Sequence, residues 1–166
     1  MYSLPHTLAA VDRDAREVVN DIIAAAVDSW PLPERLRRLS IPVLSYRDDD
    51  FNAYSIALVY CELEWGSDPV GVIARCFETV AADAPYLFLH GLYLSPAAQR
   101  RGLGRRLLAD VEMEARHAGA TGVLVKAERV ALPFFVASGY VQLETGVGPG
   151  GEYPYRCWRA LSRDRG

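Results

Sequence analysis

The amino-acid sequence predicts an α/β domain, and three observations carry that expectation. A chain of 166 residues falls within the range of one domain, and 51% apolar residues suffice to fill a continuous core. Apolar stripes at helical spacing alternate along it with strand-like runs. Between residues 86 and 126 a strand, a glycine-containing turn, a helix and a second strand follow in order. This is a βαβ arrangement, whose usual right-handed crossover makes its two strands parallel. No internal repeat, linker or second core interrupts the pattern, so residues 1–166 are expected to form a single domain.

The elements follow in order. Ala15, Val18, Val19, Ile22, Ile23, Ala26, Val27 and Trp30 recur on one helical face; Asp12 or Asp14 can cap that helix, and Pro31 and Pro33 end it. A short second helix is expected from Glu34 to Leu39, then a polar, acidic loop from Tyr46 to Asn52. Tyr54–Cys61 and Val70–Phe77 read as two strands of a hairpin, separated by the turn residues Gly66, Ser67 and Asp68. Tyr86–Leu94 is a third strand, ended by Ser95 and Pro96. Leu103, Leu107, Leu108, Val111 and Ala115 stripe a helix that stops near Gly119, and Thr121–Lys126 forms the next strand. Leu132–Ala137 is a brief helix turned by Ser138 and Gly139, and Tyr140–Leu143 starts another strand. Val147–Gly151, with three glycines and a proline, is expected to be a mobile loop, and Tyr153–Ala160 the last strand, at the sheet edge or against a second subunit.

Charge is unevenly spread. Residues 1–83 hold seven basic and fourteen acidic side chains, net −7, whereas residues 84–166 hold eleven and seven, net +4. From Ala84 to Ala109 there is no Asp or Glu, while Arg100, Arg101, Arg105 and Arg106 all fall there. These arginines surround the turn Gln99 Arg100 Arg101 Gly102 Leu103 Gly104, between strand and helix. Glycine lets main chain approach an anion, the first turn of a helix has spare N–H donors, and guanidinium groups add charge, so a phosphate suits this turn. It is neither a dinucleotide fingerprint, since Leu107 stands where a third glycine belongs, nor a P-loop, since no Gly-Lys-Ser/Thr follows. A pI near 5.6 argues against a general nucleic-acid binder. No apolar stretch approaches the roughly 18 residues of a membrane span, and no signal peptide is evident, so a cytoplasmic location is expected. Cys61, Cys76 and Cys157 lack metal or redox spacing; Cys61 and Cys76 fall in apolar strand runs, as small core residues do. His6, His90 and His117 are too scattered for a metal motif, so no metal is expected.

Leu92 Tyr93 Leu94 Ser95 Pro96, the turn from Gln99 to Gly104, Arg105 Arg106 Leu107 Leu108, and Pro133 Phe134 Phe135 Val136 Ala137 Ser138 Gly139 Tyr140 together resemble the GNAT acyltransferase superfamily. In that family a strand, a Gln/Arg-x-x-Gly-x-Gly/Ala loop and a helix hold the pyrophosphate of acyl-coenzyme A. The resemblance covers about residues 54–143 and implies a mixed, mostly antiparallel sheet flanked by helices, splayed between two parallel strands to receive acetyl-CoA as cosubstrate. It implies that main-chain N–H groups from Gln99, Arg100, Arg101, Gly102, Leu103 and Gly104 face the pyrophosphate, with Arg100, Arg101 and Arg105 as side-chain partners. Leu92, Tyr93 and Leu94 would offer strand-edge groups to the pantetheine arm, with an N–H near Leu92 for the oxyanion. Gly91 would allow a local bulge, and Phe134 and Phe135 would lie in the coenzyme-binding segment.

The resemblance implies an N-acetyltransferase that moves an acetyl group directly to an amine of a small molecule or peptide in a ternary complex. Two positions depart from the family: Glu128 replaces a frequent Asn, and Phe135 replaces the Tyr that usually protonates the leaving thiolate. Phe135 cannot donate a proton, although a thiol of pKa about 8.5 leaves far more easily than an alkylamine of about 10.4; water, Tyr140 or Ser138 are the available substitutes. His90 occupies a position where several members place a Glu, and an imidazole of unperturbed pKa near 6.5 suits a general base. Glu128 is a rival base or acceptor-recognition group, and Glu78 and Asp83 are weaker candidates. The early helices would form one wall of the acceptor cleft, with aromatic surface from Trp30, Tyr46, Phe51 and Tyr54 and attraction for a cation from Asp48, Asp49 and Asp50. Homodimers are common in the family and remain open here. A sensor or regulatory module that binds acyl-CoA without turnover is the alternative to an enzyme.

Overall fold

The computed structural model describes residues 5–80 and 84–162. Among them the strands are β1 (Thr7–Val11), β2 (Ser55–Tyr60), β3 (Pro69–Glu78), β4 (Tyr86–Leu94), β5 (Gly122–Lys126), β6 (Val141–Gln142) and β7 (Arg156–Ala160). They form one sheet in the order β1-β2-β3-β4-β5-β7-β6. The helices are α1 (Arg16–Asp28), α2 (Glu34–Leu44), α3 (Asp50–Ala53), α4 (Glu62–Trp65), α5 (Leu103–His117) and α6 (Leu132–Ala137). The sheet is mixed. β4 and β5 are parallel, from Leu87 opposite Val123 to Leu89 opposite Val125, and β4 itself runs on to Leu94. The pairs β1–β2, β5–β7 and β6–β7 are antiparallel. No helix among the described residues is long and apolar enough to cross a membrane. The chain divides into two compact units, Met1–Ala74 with Leu92–Gly104, and Arg75–Gly91 with Arg105–Gly166.

In the first unit, the Asp12 carboxylate accepts from the Asp14 N–H at 2.9 Å, capping a 3-10 turn that feeds α1. Val19, Ile22, Ile23, Ala26 and Val27 are buried as the stripe predicts, but Val18 turns outward. Their burial removes apolar surface from water at about 25 cal/mol per Å². The Asn20 side chain donates to Tyr46 O at 2.9 Å and accepts from Tyr46 N–H at 2.8 Å, tying the segment after α2 to α1. Of the four aromatics expected in the acceptor wall, Tyr46 is buried in the core, and Trp30, Phe51 and Tyr54 pack against that core partly buried. Two of the three acidic side chains are likewise engaged. Asp48 pairs with Arg16 at 2.6 Å, and Asp50 accepts from Arg47 N–H at 2.6 Å.

Several boundaries differ from the sequence expectation. β1 is an additional strand, paired from Thr7 opposite Tyr60 to Val11 opposite Ile56; being short and mostly exposed, it has no buried period of its own. α2 continues past Leu39 to Leu44 with Pro42 inside it, because Leu44 is buried and Ile41 packs on the core, offsetting the hydrogen bond that proline lacks. The loop after it contains the single turn α3, and α4 stands in the connection between β2 and β3. Gly71 on β3 has a steric reason: a Cβ there would lie 2.9 Å from Tyr93 O and 2.7 Å from the Leu94 side chain.

In the second unit, α5 buries Leu107, Leu108, Val111 and Ala115. It ends in a left-handed cap: Gly119 has φ +71°, its N–H donates to Arg116 O at 3.0 Å, and Ala120 N–H donates to Ala115 O at 2.9 Å. Strand register places Phe88, Leu124 and Trp158 side by side, with Lys126 opposite Arg156. Leu143 lies outside β6, which is two residues long, and β7 begins only at Arg156. β7 lies between β5 and β6 rather than at an edge.

The glycine-rich loop is held, not free. Arg156 is fully buried and donates at 2.5 Å to both Pro149 O and Glu144 O, while Tyr153 N–H donates to Gly150 O at 2.9 Å. Cys61 and Cys157 are buried thiols. Cys76 is half-buried beside Glu78, and burial together with that carboxylate pushes its thiol up to about 11, which leaves it a poor nucleophile.

Candidate functional site

The phosphate-type turn lies in the first unit. Ser95 N–H donates to Val70 O at 2.8 Å, closing the end of β4 against β3, and a 3-10 turn at Pro96–Ala98 reverses the chain. Gln99 braces that reversal: its Nε2 donates to Leu94 O at 2.9 Å and to Ser29 Oγ at 3.1 Å. Beyond it, Arg100 has φ +63° and Gly102 φ +82°, whereas Arg101 between them lacks a positive φ. Such alternation turns successive N–H groups toward one concave side, the nest arrangement that takes anions. α5 then starts at Leu103, whose side chain is buried, and the first N–H groups of the helix have no acceptor within it. A Cβ on Gly102 would meet nothing in the chain within 4 Å, so the backbone conformation, and not protein packing, requires glycine there.

The three arginines proposed as coenzyme partners differ. Arg100 and Arg105 are exposed. Arg101 is committed elsewhere, with its guanidinium 2.9 Å from the Glu64 carboxylate and 5.0 Å from the centre of the Trp65 ring. Arg100 also carries backbone strain, since a side chain in the left-handed region costs about 1–2 kcal/mol. Arg100→Gly is therefore expected to stabilise the fold by about 0.5–1 kcal/mol after the entropy cost of glycine, raising the thermal midpoint by about 1–3 °C in a calorimetric scan. An unchanged or lower midpoint contradicts that account.

The candidate catalytic groups lie in the second unit. On the β4 face shared with Phe88, the His90 ring stands edge-on to Phe88 at 5.7 Å and to Tyr153 at 6.0 Å. Lys126 Nζ lies 5.2 Å from the Tyr153 ring centre. Glu128 precedes the 3-10 turn Arg129–Ala131, and its carbonyl accepts from Ala131 N–H at 2.8 Å. Burial pushes its carboxyl above the usual carboxylate range, opposed by the positive charge of Lys126. The structure thus gathers His90, Tyr153 and Lys126, with Glu128 electrostatically linked to Lys126. Tyr153 and Lys126 were not singled out from the sequence. Lys126 is recognisable only as the charged end of a strand, and no local pattern marks Tyr153.

Other candidates are engaged elsewhere. Phe135 is buried, its ring 6.0 Å from that of Tyr140, and Phe134 packs on Phe135 at 5.1 Å. Tyr140 donates its hydroxyl to buried Glu112 at 3.2 Å, and burial with that carboxylate raises its pKa strongly. Ser138 donates to Phe134 O at 2.8 Å. Neither hydroxyl is poised to replace the missing phenol. Glu78 accepts from Tyr86 at 2.7 Å, and Asp83 lies outside the described residues. Gly91 is buried within β4, which runs uninterrupted from Tyr86 to Leu94.

Comparison with known proteins gives a consistent picture. A family profile described as the Acetyltransferase (GNAT) family matches residues 20–140. No curated protein matches the sequence. Among solved structures, a GCN5-related N-acetyltransferase from Rhodopseudomonas palustris shares 20% identity at a TM-score of 0.70, covering 97% of this chain and 99% of that one. PaiA N-acetyltransferase from Thermoplasma acidophilum, solved with coenzyme A, shares 13% at a TM-score of 0.70, covering 95% and 99%. A mutant AtaT toxin bound to the AtaR C-terminus and acetyl-CoA shares 20% at 0.56, covering 94% and 93%. At these identities the likeness is one of fold.

Proposed function

Because the chain belongs to the acetyltransferase (GNAT) family, we propose that it moves the acetyl group of acetyl-CoA to an amine by direct attack within a ternary complex. The observation that carries this reading is the left-handed pair Arg100 and Gly102 immediately ahead of α5. Together they form a main-chain anion cradle at the position where the family holds a diphosphate. N–H groups from Gln99 to Gly104 take the pyrophosphate, Arg100 and Arg105 supply exposed charge, and backbone groups of Leu92, Tyr93 and Leu94 receive the amide-rich arm. The family profile spans parts of both compact units, which supports treating residues 1–166 as one catalytic domain.

In the proposed reaction the amine nitrogen attacks the thioester carbonyl carbon, forming the C–N bond and an oxyanion that an N–H near Leu92 stabilises. His90, two positions earlier on β4, takes the proton the amine loses. Collapse breaks the C–S bond, and the thiolate leaves without a phenolic acid because its conjugate thiol is about two pKa units more acidic than an alkylammonium. The products are an acetamide and coenzyme A.

Release of coenzyme thiol, followed with polyamines, aminoglycosides, amino acids and peptides as acceptors, tests the proposal. Turnover with at least one of them is expected. The engagement of Tyr140 and Ser138, with Phe135 buried, favours a second reading as an acyl-CoA sensor. Calorimetric binding of acetyl-CoA with no thiol release on any acceptor would select the sensor, and no binding at all would overturn both readings.

A further inference from the structure

On the sheet face that carries Tyr86, Phe88 and His90 from β4, Leu124 and Lys126 from β5, and Trp158 from β7, the segment 144–155 provides cover. The Tyr153 ring lies 5.8 Å from that of Phe88, and a Cβ on Gly150 would lie 3.3 Å from Leu124. Two devices hold the segment there. Arg156, with its guanidinium shielded from water, clasps the carbonyls of Glu144 and Pro149, and Gly146, Gly148 and Gly150 all take positive φ, which lets the short segment curl back. Arg156 has no carboxylate partner among the described residues and leaves Nε unsatisfied, a costly arrangement for a fully buried cation.

The geometry points to Tyr153 as a positioning residue for His90: its ring, with Phe88, fixes the imidazole orientation for proton transfer, and Arg156 holds the loop that delivers it. This inference rests on the reading of His90 as the base. Phe88 and Tyr153 flank the imidazole by edge contacts at 5.7 and 6.0 Å, and Lys126 Nζ lies over the tyrosine ring. A tilt of the imidazole that misplaces its nitrogen by about 1 Å is enough to slow proton transfer about 100-fold.

Tyr153→Ala is expected to lower kcat about 10- to 100-fold with the best acceptor while leaving the acetyl-CoA Kd within about twofold, and Tyr153→Phe to retain native kcat. Equal losses in both variants would overturn the inference and assign the phenol itself to the proton path. Native activity in Tyr153→Ala would overturn it as well. Should the alanine variant fail to fold, Tyr153→Leu takes its place. A double variant with His90→Ala separates the two levels. A fully active His90→Ala sinks the base reading, whereas additive losses with an impaired His90→Ala sink only the role of Tyr153. Without turnover, the three-bond side-chain couplings of His90 in the acetyl-CoA complex provide the readout: those of a single rotamer in Tyr153→Phe and averaged values in Tyr153→Ala.

Discussion

Gly102→Asp is expected to yield a folded protein that binds acetyl-CoA about 100-fold more weakly or worse. Gly102 has φ +82° and an ideal Cβ there touches nothing in the chain. Aspartate and asparagine tolerate that conformation better than other L residues, so the variant folds at a cost of about 1 kcal/mol. The carboxylate, however, adds a negative charge to the turn where the diphosphate is proposed to lie. Two unit charges about 4 Å apart repel by about 4 kcal/mol near a protein surface, and screening reduces this to about 2–3 kcal/mol, close to a hundredfold in Kd. Gly102→Asn has nearly the same shape without the charge and is expected to lose only about tenfold. Isothermal titration at two ionic strengths checks both: the gap between Asp and Asn narrows as salt rises. Native affinity in Gly102→Asp at low salt would remove the turn from coenzyme binding.

The features that were legible in the sequence are those set by local pattern. α1 and α5 follow from apolar stripes, and Leu103, Leu107, Leu108, Val111 and Ala115 are all buried as their spacing requires. β4 has the bounds of its aromatic and aliphatic run, and its parallel pairing with β5 follows from chain order. The turn at Gln99–Gly104 is visible because glycines and arginines cluster there without an acidic residue. What remained hidden depends on distant partners. β1 is a strand only because β2 pairs with it. Trp30, Phe51 and Tyr54 pack against a core around Tyr46 that no local pattern announces. The commitment of Arg101 to Glu64 and Trp65 requires α4 to exist, and the cover over His90 requires a buried arginine to grip two carbonyls. None of these contacts leaves a periodicity in the sequence.

His90→Ala is expected to reduce kcat/KM at neutral pH by about 100- to 10,000-fold, the range of a positioned general base, with the acetyl-CoA Kd unchanged. The rival is Glu128, and pH separates the two. Burial raises the Glu128 carboxyl above the usual range while Lys126 draws it back. A base must be unprotonated to act, so catalysis by Glu128 fails as pH falls through that raised pKa, and Glu128→Gln would abolish both the activity and that acid limb. With His90 as base, Glu128→Gln keeps most activity, whereas His90→Ala loses it. Stability gives an independent check on Glu128. A folded-state carboxyl pKa above its unfolded value favours the folded protein at low pH, and that advantage disappears as pH rises through the folded pKa. At neutral pH the ionised, partly buried carboxylate is therefore a liability, and Glu128→Gln is expected to melt above the native protein, the two midpoints converging below the ordinary carboxylate range near 4.3. If the glutamine variant melts lower at neutral pH and also loses all turnover, the carboxylate has the role here assigned to the imidazole.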